Sequence, residues 1–326
     1  MREMDKEKLF QVIDGFSAVR ILVVGDLMLD RFIWGKVSRI SPEAPVPVVC
    51  VTKESSNLGG SANVVTNIET LGGTAVPVGL IGFDEAARAL LKLLRERGVS
   101  QEGVVRSRQF RTIQKTRIIA HHQQVVRVDH EVDQPLDSRH RGQIEARALA
   151  LAAGTRAVIV SDYGKGVITP SLLEKLANTA DRSLLSIDPK DPNFEHYRNA
   201  HVMTPNQAEA ERMSGTVIRD EAGLRRAAEV IFHKSRCRNL LITRGEQGMA
   251  LFQSPESLTL IPTRAREVYD VSGAGDTVIA TYTLALAAGA TPHQAAVLAN
   301  AAAGVVVGKL GTASVSGDEL KRALEP

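Results

Sequence analysis

The sequence predicts an α/β fold with a doubly wound, mostly parallel central sheet and a small β-sheet lid. Short apolar, β-branched runs alternate with stretches of helical periodicity, which is typical of βαβ units. Two segments, residues 31–55 and 109–129, break this alternation by mixing β-forming residues with prolines or charges. We expect them to form a lid over the sheet edge where ligands bind in open α/β folds. Residues 1–326 are then a single domain with the lid inserted in it.

Strand and helix candidates alternate along the chain, as a doubly wound fold requires. The strand candidates are short apolar runs, at residues 21–25, 76–82, 157–161, 184–188 and 240–243. The helix candidates carry amphipathic or continuously apolar patterns, at residues 85–97, 142–153, 172–177, 221–234, 273–288 and 292–307. A further helix is expected to start near Ser61, after two glycines.

Composition excludes several classes of protein. The 326 residues carry a net charge of only +3, spread along the chain, so nucleic acid is not an expected partner. The two cysteines, Cys50 and Cys237, lie far apart, which disfavours a disulfide scaffold or a zinc site. No signal peptide is visible, and the apolar run at residues 278–290 is shorter than a membrane span. We therefore expect a cytoplasmic protein with no membrane partner.

The strongest motif is the run Ser272-Gly273-Ala274-Gly275-Asp276, directly before an apolar helix. Small residues at a helix N-terminus let backbone N–H groups approach a phosphate. An aspartate in that first turn can accept the proton of an attacking hydroxyl. The motif alone fits a simple turn and helix cap equally well. It lacks the Lys-Ser/Thr ending of a P-loop, which disfavours a Walker-type nucleotidase.

Two motifs near the N-terminus offer polar groups for sugar hydroxyls. Gly59 and Gly60 allow close backbone approach, and Asn63 supplies an amide. Asp26 and Asp30 follow the first strand without a GxGxxG pattern, so a dinucleotide site is a poor fit. A glycine turn, and a turn capped by Asp26, are the structural alternatives.

Two motifs in the second half point to a nucleotide. Asn206 and Glu209 are spaced to share a helix face and to orient water around a magnesium–phosphate complex, and they equally match a capping box. Thr243, Gly245 and Gly248 follow a strand and are able to place backbone amides along phosphates, or to form a plain hairpin turn.

Taken in their order along the chain, the five motifs resemble the ribokinase (PfkB) family of carbohydrate kinases over residues 21–316. The resemblance implies a ribokinase-like fold, ATP and Mg²⁺, with Asp276 as catalytic base beside an anion hole at Gly273, Ala274 and Gly275. The positions that match nucleotide or magnesium contacts are Asn206, Glu209 (indirectly, to Mg²⁺), Thr243, Gly245, Gly248 and Asn300. Those that match sugar contacts are Asp30, Gly59, Gly60 and Asn63. Asp270 and Ser272 match the ligands of a monovalent cation, K⁺, that some members bind.

A closer resemblance narrows the substrate. The lid run at residues 38–48, with Arg127-Val128-Asp129, residues 161–166 and Asp188-Pro189-Lys190, is similar to the branch that phosphorylates D-glycero-β-D-manno-heptose 7-phosphate at C1 for ADP-heptose and lipopolysaccharide synthesis. Of the cations Arg117, Arg127, Lys165 and Lys190, we favour Arg127 and Lys190 as ligands of the substrate phosphate.

Partners and rival functions follow from the same resemblance. Many members of that branch carry a fused C-terminal nucleotidyltransferase, so we expect a stand-alone kinase followed by a separate nucleotidyltransferase, with an excised kinase domain as the alternative. Exposed lid edges favour a homodimer through the lid. The rivals are another kinase of the family, acting on fructose 1-phosphate, tagatose 6-phosphate or ribose, and a non-catalytic sugar or nucleotide sensor.

Overall fold

A computed structural model describes residues 3–121, 123–131, 136–178, 183–265, 267–309 and 311–325. The helices in these ranges are α1 (Glu3–Asp14), α2 (Ser61–Thr70), α3 (Glu85–Glu96), α4 (Ser138–Ala152), α5 (Pro170–Ala177), α6 (Gln207–Ser214), α7 (Glu221–Ser235), α8 (Ala274–Ala287), α9 (Pro292–Val307) and α10 (Gly317–Ala323). The strands are β1 (Arg20–Gly25), β2 (Leu27–Ile40), β3 (Pro47–Gly60), β4 (Thr74–Ile81), β5 (Val104–Arg106), β6 (Ile113–Ala120), β7 (Gln123–His130), β8 (Ala157–Ser161), β9 (Leu184–Asp188), β10 (Val202–Met203), β11 (Leu240–Thr243), β12 (Met249–Ser254) and β13 (Ser257–Ile261).

The main sheet has the order β13-β12-β11-β10-β9-β8-β1-β4-β5 in the described part of the chain. All its pairings are parallel except those of β12, which is antiparallel to β11 and β13. The chain runs from β1 outward to β4 and β5, then returns to β8 on the other side of β1. This reversal creates a crevice at the carboxyl ends of β1 and β8, which is where ligands bind in doubly wound folds.

Two apolar layers cover the faces of this sheet. Ile21 and Val23 of β1 point into a layer formed by α1, α2, α3, α8, α9 and α10. Leu22 and Val24 point into the opposite layer, formed mainly by α4, α5, α6 and α7. This alternation places the start of α8 above the carboxyl ends of the central strands, and α8 contacts both β8 and β9.

The lid is a second sheet with the order β3-β2-β6-β7. β2 is antiparallel to β3 and parallel to β6, and β6 is antiparallel to β7. Only Asp26 separates β1 from β2, so the lid continues directly out of the main sheet. The far part of the lid exposes apolar side chains, among them Ile40, Val51 and Val126.

The predicted fold class is confirmed, with three differences in detail. The lid strands span residues 27–60 and 113–130, because β2 and β3 run on to the main sheet. Residues 109–112 lie outside any strand, and Thr112 is tied to the β4–α3 connection, where its N–H donates to Asp84 and its hydroxyl accepts from the N–H of Gly82. Short strands such as β5 and β10, and the β12–β13 hairpin, were not predicted. No helix in the described ranges has both the length and the apolar character needed to cross a membrane.

Candidate functional site

Asp276 lies in the first turn of α8 with only 5% of its surface exposed. Each carboxylate oxygen accepts a hydrogen bond, Oδ2 from Nδ2 of Asn63 at 2.7 Å and Oδ1 from the hydroxyl of Tyr163 at 2.6 Å. These donors come from α2 and from the loop after β8. The fold therefore brings three separate motifs together at one carboxylate.

Gly273 shapes the start of α8. Its φ is +80°, and a Cβ there would lie 2.6 Å from Nδ2 of Asn63, so a side chain would displace the amide that contacts Asp276. Ala274 donates its N–H to the carbonyl of Val271 at 3.2 Å. Within the described ranges, the N–H groups of Gly273, Gly275 and Asp276 donate to no protein group. Unpaired amides at a helix start are suited to an anion.

Burial raises the pKa of the Asp276 carboxyl to about 6. The hydrogen bonds from Tyr163 and Asn63 oppose this rise, and so does the positive charge of Lys115. The negative charge of Asp30 adds to the rise. The carboxylate is thus charged at neutral pH and is a stronger base than an exposed aspartate.

Asp26 serves the loop after β8 and not a sugar. It is fully buried, and its carboxylate accepts the backbone N–H groups of Tyr163, Lys165 and Val167 at 3.0, 3.2 and 3.2 Å. The expectation that Asp26 binds hydroxyls is therefore wrong, and its interpretation as a capping residue describes its contacts.

Asp30 is paired with Arg117 across the lid. Nη1 of Arg117 donates to Oδ1 of Asp30 at 2.7 Å, and the two side chains are only 14% and 6% exposed. Gly59 lies against the same carboxylate, since a Cβ there would be 2.7 Å from Oδ2. Gly60 follows and leads directly into α2 and Asn63. The predicted sugar residues thus lie together. The guanidinium of Arg117 is already paired with the carboxylate of Asp30.

A cavity of about 440 Å³ joins the predicted nucleotide loop to the start of α8. Its lining includes the predicted residues Thr243, Gly245, Gly248, Ala274, Gly275 and Asn300. Asn300 donates its amide to the carbonyl of Pro262 at 2.7 Å, which anchors the segment after β13 beside the cavity. The loop is also a hairpin connection between β11 and β12, so both interpretations of this motif hold.

Asn206 and Glu209 form the expected capping box at the start of α6. Oε1 of Glu209 also accepts from Nζ of Lys190 at 2.9 Å. Asp188, at the end of β9, has its pKa raised well above the ordinary value by burial and by the negative charges of Asp276 and Glu209. These carboxylates are hard oxygen donors whose mutual repulsion a divalent cation would relieve.

Asp270 ties two loops together. Its carboxylate accepts the N–H of Ser272 at 2.9 Å and that of Gly311 at 3.2 Å. Among the described residues, no three histidine, cysteine, aspartate or glutamate side chains lie close enough to hold a metal ion. The role of Asp270 and Ser272 in holding a monovalent cation stays a prediction.

Arg127 lies opposite Arg117 in the β6–β7 ladder, but its ion pair is with Asp129 and not with a predicted sugar residue. It lies on the exposed strand β7 with half of its side chain exposed, and its guanidinium pairs with Asp129 at 2.9 Å. Lys165, considered with it, pairs with Glu131. Exposed pairs of this kind rearrange at little cost when an anion arrives.

Three residues of this site were not assigned from the sequence. Tyr163 and Asp188 lie in residues 161–166 and 188–190, which carry the closer family resemblance. Nothing in those runs indicates that either residue lies near Asp276. Lys115 lies on β6 with its Nζ 5.6 Å from the centre of the Tyr163 ring. The one available signal was position, because Tyr163 and Asp188 lie at or just beyond the carboxyl ends of adjacent strands.

Comparison with known proteins gives relatives over most of the chain. The profile of the pfkB family carbohydrate kinase matches residues 19–318. The bifunctional protein HldE of Nitrosococcus oceani is 48% identical over 314 residues, covering 95% of this chain and 65% of that protein. The bifunctional protein HldE of Pelobacter propionicus is 42% identical over 323 residues, covering 98% and 66%. The chain thus spans slightly less than two thirds of the length of these relatives.

Solved structures share the fold at low identity. Phosphofructokinase-2 from Escherichia coli, in complex with potassium, has a TM-score of 0.78 at 20% identity and covers 94% of this chain and 98% of its own. Arabidopsis thaliana ribokinase, complexed with ribose and ATP, has a TM-score of 0.72 at 16% identity and covers 94% and 99%. At such identities the likeness supports the fold alone.

Proposed function

The chain belongs to the pfkB family of carbohydrate kinases, and we propose that it transfers the γ-phosphoryl group of ATP to the C1 hydroxyl of D-glycero-β-D-manno-heptose 7-phosphate, giving the 1,7-bisphosphate. The observation that carries the kinase assignment is the position of Asp276. Its helix start lines the 440 Å³ cavity on one side, and its carboxylate contacts the sugar-motif residue Asn63 on the other. The heptose assignment rests on the lid run at residues 38–48 and its companion motifs.

The proposed chemistry is an in-line displacement. Asp276 accepts the proton of the sugar hydroxyl, whose oxygen bonds to the γ-phosphorus as the bond to the β,γ-bridging oxygen breaks. The free N–H groups of Gly273, Gly275 and Asp276 face developing negative charge on the transferred group. The lid excludes water from the reacting groups, which limits hydrolysis of ATP.

Magnesium is the implied metal, and the local donors fit it. Asp188 and Glu209 would hold it at the carboxyl end of β9, Glu209 through water as the family resemblance implies, while its two oxygens also accept from Asn206 and Lys190. The ion would supply positive charge that neutralises the phosphates. K⁺ near Asp270 and Ser272 is the further cation that the resemblance implies.

A coupled assay of ADP release tests the substrate. Heptose 7-phosphate is expected to give a kcat/KM at least ten-fold above fructose 1-phosphate, tagatose 6-phosphate and ribose. A higher value for another sugar would transfer the assignment to that sugar. Calorimetric binding of sugar and ATP without turnover would favour the sensor, a function that the intact base and amides argue against.

We predict that Lys190 and Arg127 hold the substrate phosphate. Lys190→Ala and Arg127→Ala should each raise KM for the phosphosugar about ten-fold, the typical loss for one charge-assisted contact. Because Lys190 also donates to Glu209, a predicted magnesium-side residue, Lys190 could contact ATP instead of the sugar phosphate. KM for ATP, measured for the same variants, distinguishes the two roles. A rise in KM for ATP alone would place Lys190 on the nucleotide.

Matched controls for these variants exist on the same molecule. Lys234 pairs with Glu195 and is 42% exposed, close to the 41% of Lys190. Arg225 pairs with Glu221 on α7 and is 42% exposed. Lys234→Ala and Arg225→Ala should leave both KM values unchanged. An unchanged KM for the phosphosugar in both test variants would contradict the prediction.

A homodimer through the lid is the proposed assembly, and a nucleotidyltransferase is proposed to act downstream of it in the cytoplasm. Ile40, Val51 and Val126 of the lid are 61%, 54% and 45% exposed, an apolar exposure that a second subunit would cover. Val51→Lys is expected to shift the sedimentation coefficient from dimer to monomer. A monomeric wild-type protein at assay concentration would refute this assembly.

A further inference from the structure

The loop after β8 is built to hold one tyrosine against the carboxylate of Asp276. Two buried aspartates anchor it. Asp26 accepts three backbone N–H groups of the loop, including that of Tyr163 itself. Asp162 accepts the N–H of Gly164 at 2.7 Å and side-chain donors of Asn193 and Tyr197 at 2.6 and 2.7 Å. Such saturation of two buried carboxylates fixes the backbone on both sides of Tyr163.

The ring and hydroxyl of Tyr163 are fixed as well. The ammonium of Lys115 lies 5.6 Å from the ring centre, within the range of a cation–π contact. The hydroxyl donates to Oδ1 of Asp276 at 2.6 Å, a length typical of a charge-assisted bond. Burial and the charge of Asp276 raise the pKa of Tyr163 well above its ordinary value, so the phenol keeps its proton and acts only as a donor.

We propose that Tyr163 is a positioning residue for the base: its hydroxyl fixes the orientation of the Asp276 carboxylate and keeps it charged until the sugar hydroxyl arrives. The inference rests on the proposed function. Asn63 holds Oδ2 in the same way, so the two donors together define the plane of the carboxylate. Each carboxylate oxygen retains a lone pair that can accept the proton of the sugar hydroxyl. That proton passes to Asp276, while Tyr163 neither gains nor loses a proton.

The electrostatics around Asp276 make a neutral donor useful. The groups that face it are Asp30 from β2, Lys115 from β6 and Asp188 from β9, besides Asn63 and Tyr163. Two of these are carboxyls, which favour protonation of Asp276. The phenol opposes protonation without adding a charge that the sugar phosphate or ATP would have to accommodate.

Tyr163→Phe tests the proposal because it removes only the hydroxyl. In the wild type, kcat/KM should fall as pH drops through about 6, the pKa of the base. A hydrogen bond to a charged group is worth about 1.5–3 kcal/mol, so its loss should move this acidic limb upward by about one to two pH units. The rate at pH 8 should fall about ten-fold from misorientation of the carboxylate.

Tyr282→Phe is the matched control. Its hydroxyl is buried in α8 and has no hydrogen-bond partner among the described residues, so its removal should leave the acidic limb in place. A ten-fold loss in Tyr163→Phe with an unmoved limb would overturn the proposal and assign Tyr163 a purely structural role.

A second readout does not depend on turnover. The ¹³C chemical shift of the Asp276 carboxyl, assigned by its absence in Asp276→Asn, reports the pKa directly. The pKa should be about 6 in the wild type and about one to two units higher in Tyr163→Phe. Equal values in the two proteins would overturn the proposal, whereas absence of kinase activity with a shifted pKa would overturn only the proposed function.

Discussion

Asp276→Asn is expected to lower kcat by about 10²- to 10⁴-fold, the range that general base catalysis contributes. Asparagine keeps the shape of the side chain but cannot take a proton. It also offers one acceptor oxygen in place of two, so only one of the donors Asn63 and Tyr163 keeps its partner. Binding of ATP and sugar, measured by calorimetry, should stay within a few-fold of wild type.

Stability separates this loss from misfolding. Burial raises the pKa of Asp276 to about 6 in the folded protein, above its unfolded value. The native state therefore holds this proton to higher pH than the unfolded state, and the ionised group destabilises the fold above pH 6. A neutral asparagine removes that cost, so the variant should melt no lower than wild type at pH 8.

The control for this variant is Asp318→Asn in the first turn of α10. It removes a carboxylate from the first turn of another helix, and kcat should not change. If Asp276→Asn retains activity within a few-fold of wild type, Asp276 is not the base.

Arg117→Met is expected to lower the free energy of unfolding by about 3–5 kcal/mol, as removal of one partner from a buried ion pair does. Asp30 would stay buried with no opposite charge on it, while Asp276 is close enough for the two carboxylates to repel each other. The Arg117 guanidinium carbon also lies 5.4 Å from the centre of the Phe32 ring, so this cation–π contact is lost together with the ion pair, whereas methionine keeps an apolar stem of similar length. Denaturant unfolding followed by circular dichroism measures it.

Arg31→Met provides the matched control on the same lid. Arg31 pairs with Glu54 at 2.6 Å, but the side chains are 39% and 48% exposed, so the expected cost is at most about 1 kcal/mol. The double variant Asp30→Asn, Arg117→Met should recover part of the stability, because no unpaired charge remains. Equal losses in Arg117→Met and Arg31→Met would show that burial does not strengthen the Asp30 pair.

The regular elements were predictable because their signals are local. The strands at residues 157–161, 184–188 and 240–243 and the helix at residues 292–307 match their predicted bounds. Apolar runs define these strands, and Thr291 with Gln294 caps α9. The two-residue strand β10 has no such signal, since its neighbours in the sheet and not its own sequence make it a strand.

Contacts between distant residues were not predictable in the same way. Tyr163 meets Asp276 across 113 positions and Arg117 meets Asp30 across 87. Arg117 alternates with other polar residues on a lid strand, and its sequence context would suit a surface cation equally well. The parallel pairing of β6 with β2 is what places Arg117 beside Asp30, and the sequence does not show that pairing.

The sequence by itself determined the fold class, the family and the order of motifs at strand ends and helix starts. These follow from local periodicity, glycine positions and capping residues, which a single chain displays directly. The tertiary structure alone decided which cations are already paired, that Asp26 serves a loop, and that Asp276 is buried between two donors with a raised pKa. The reason is physical: desolvation and charge interactions depend on distances between residues of different elements, and only the packed fold sets those distances.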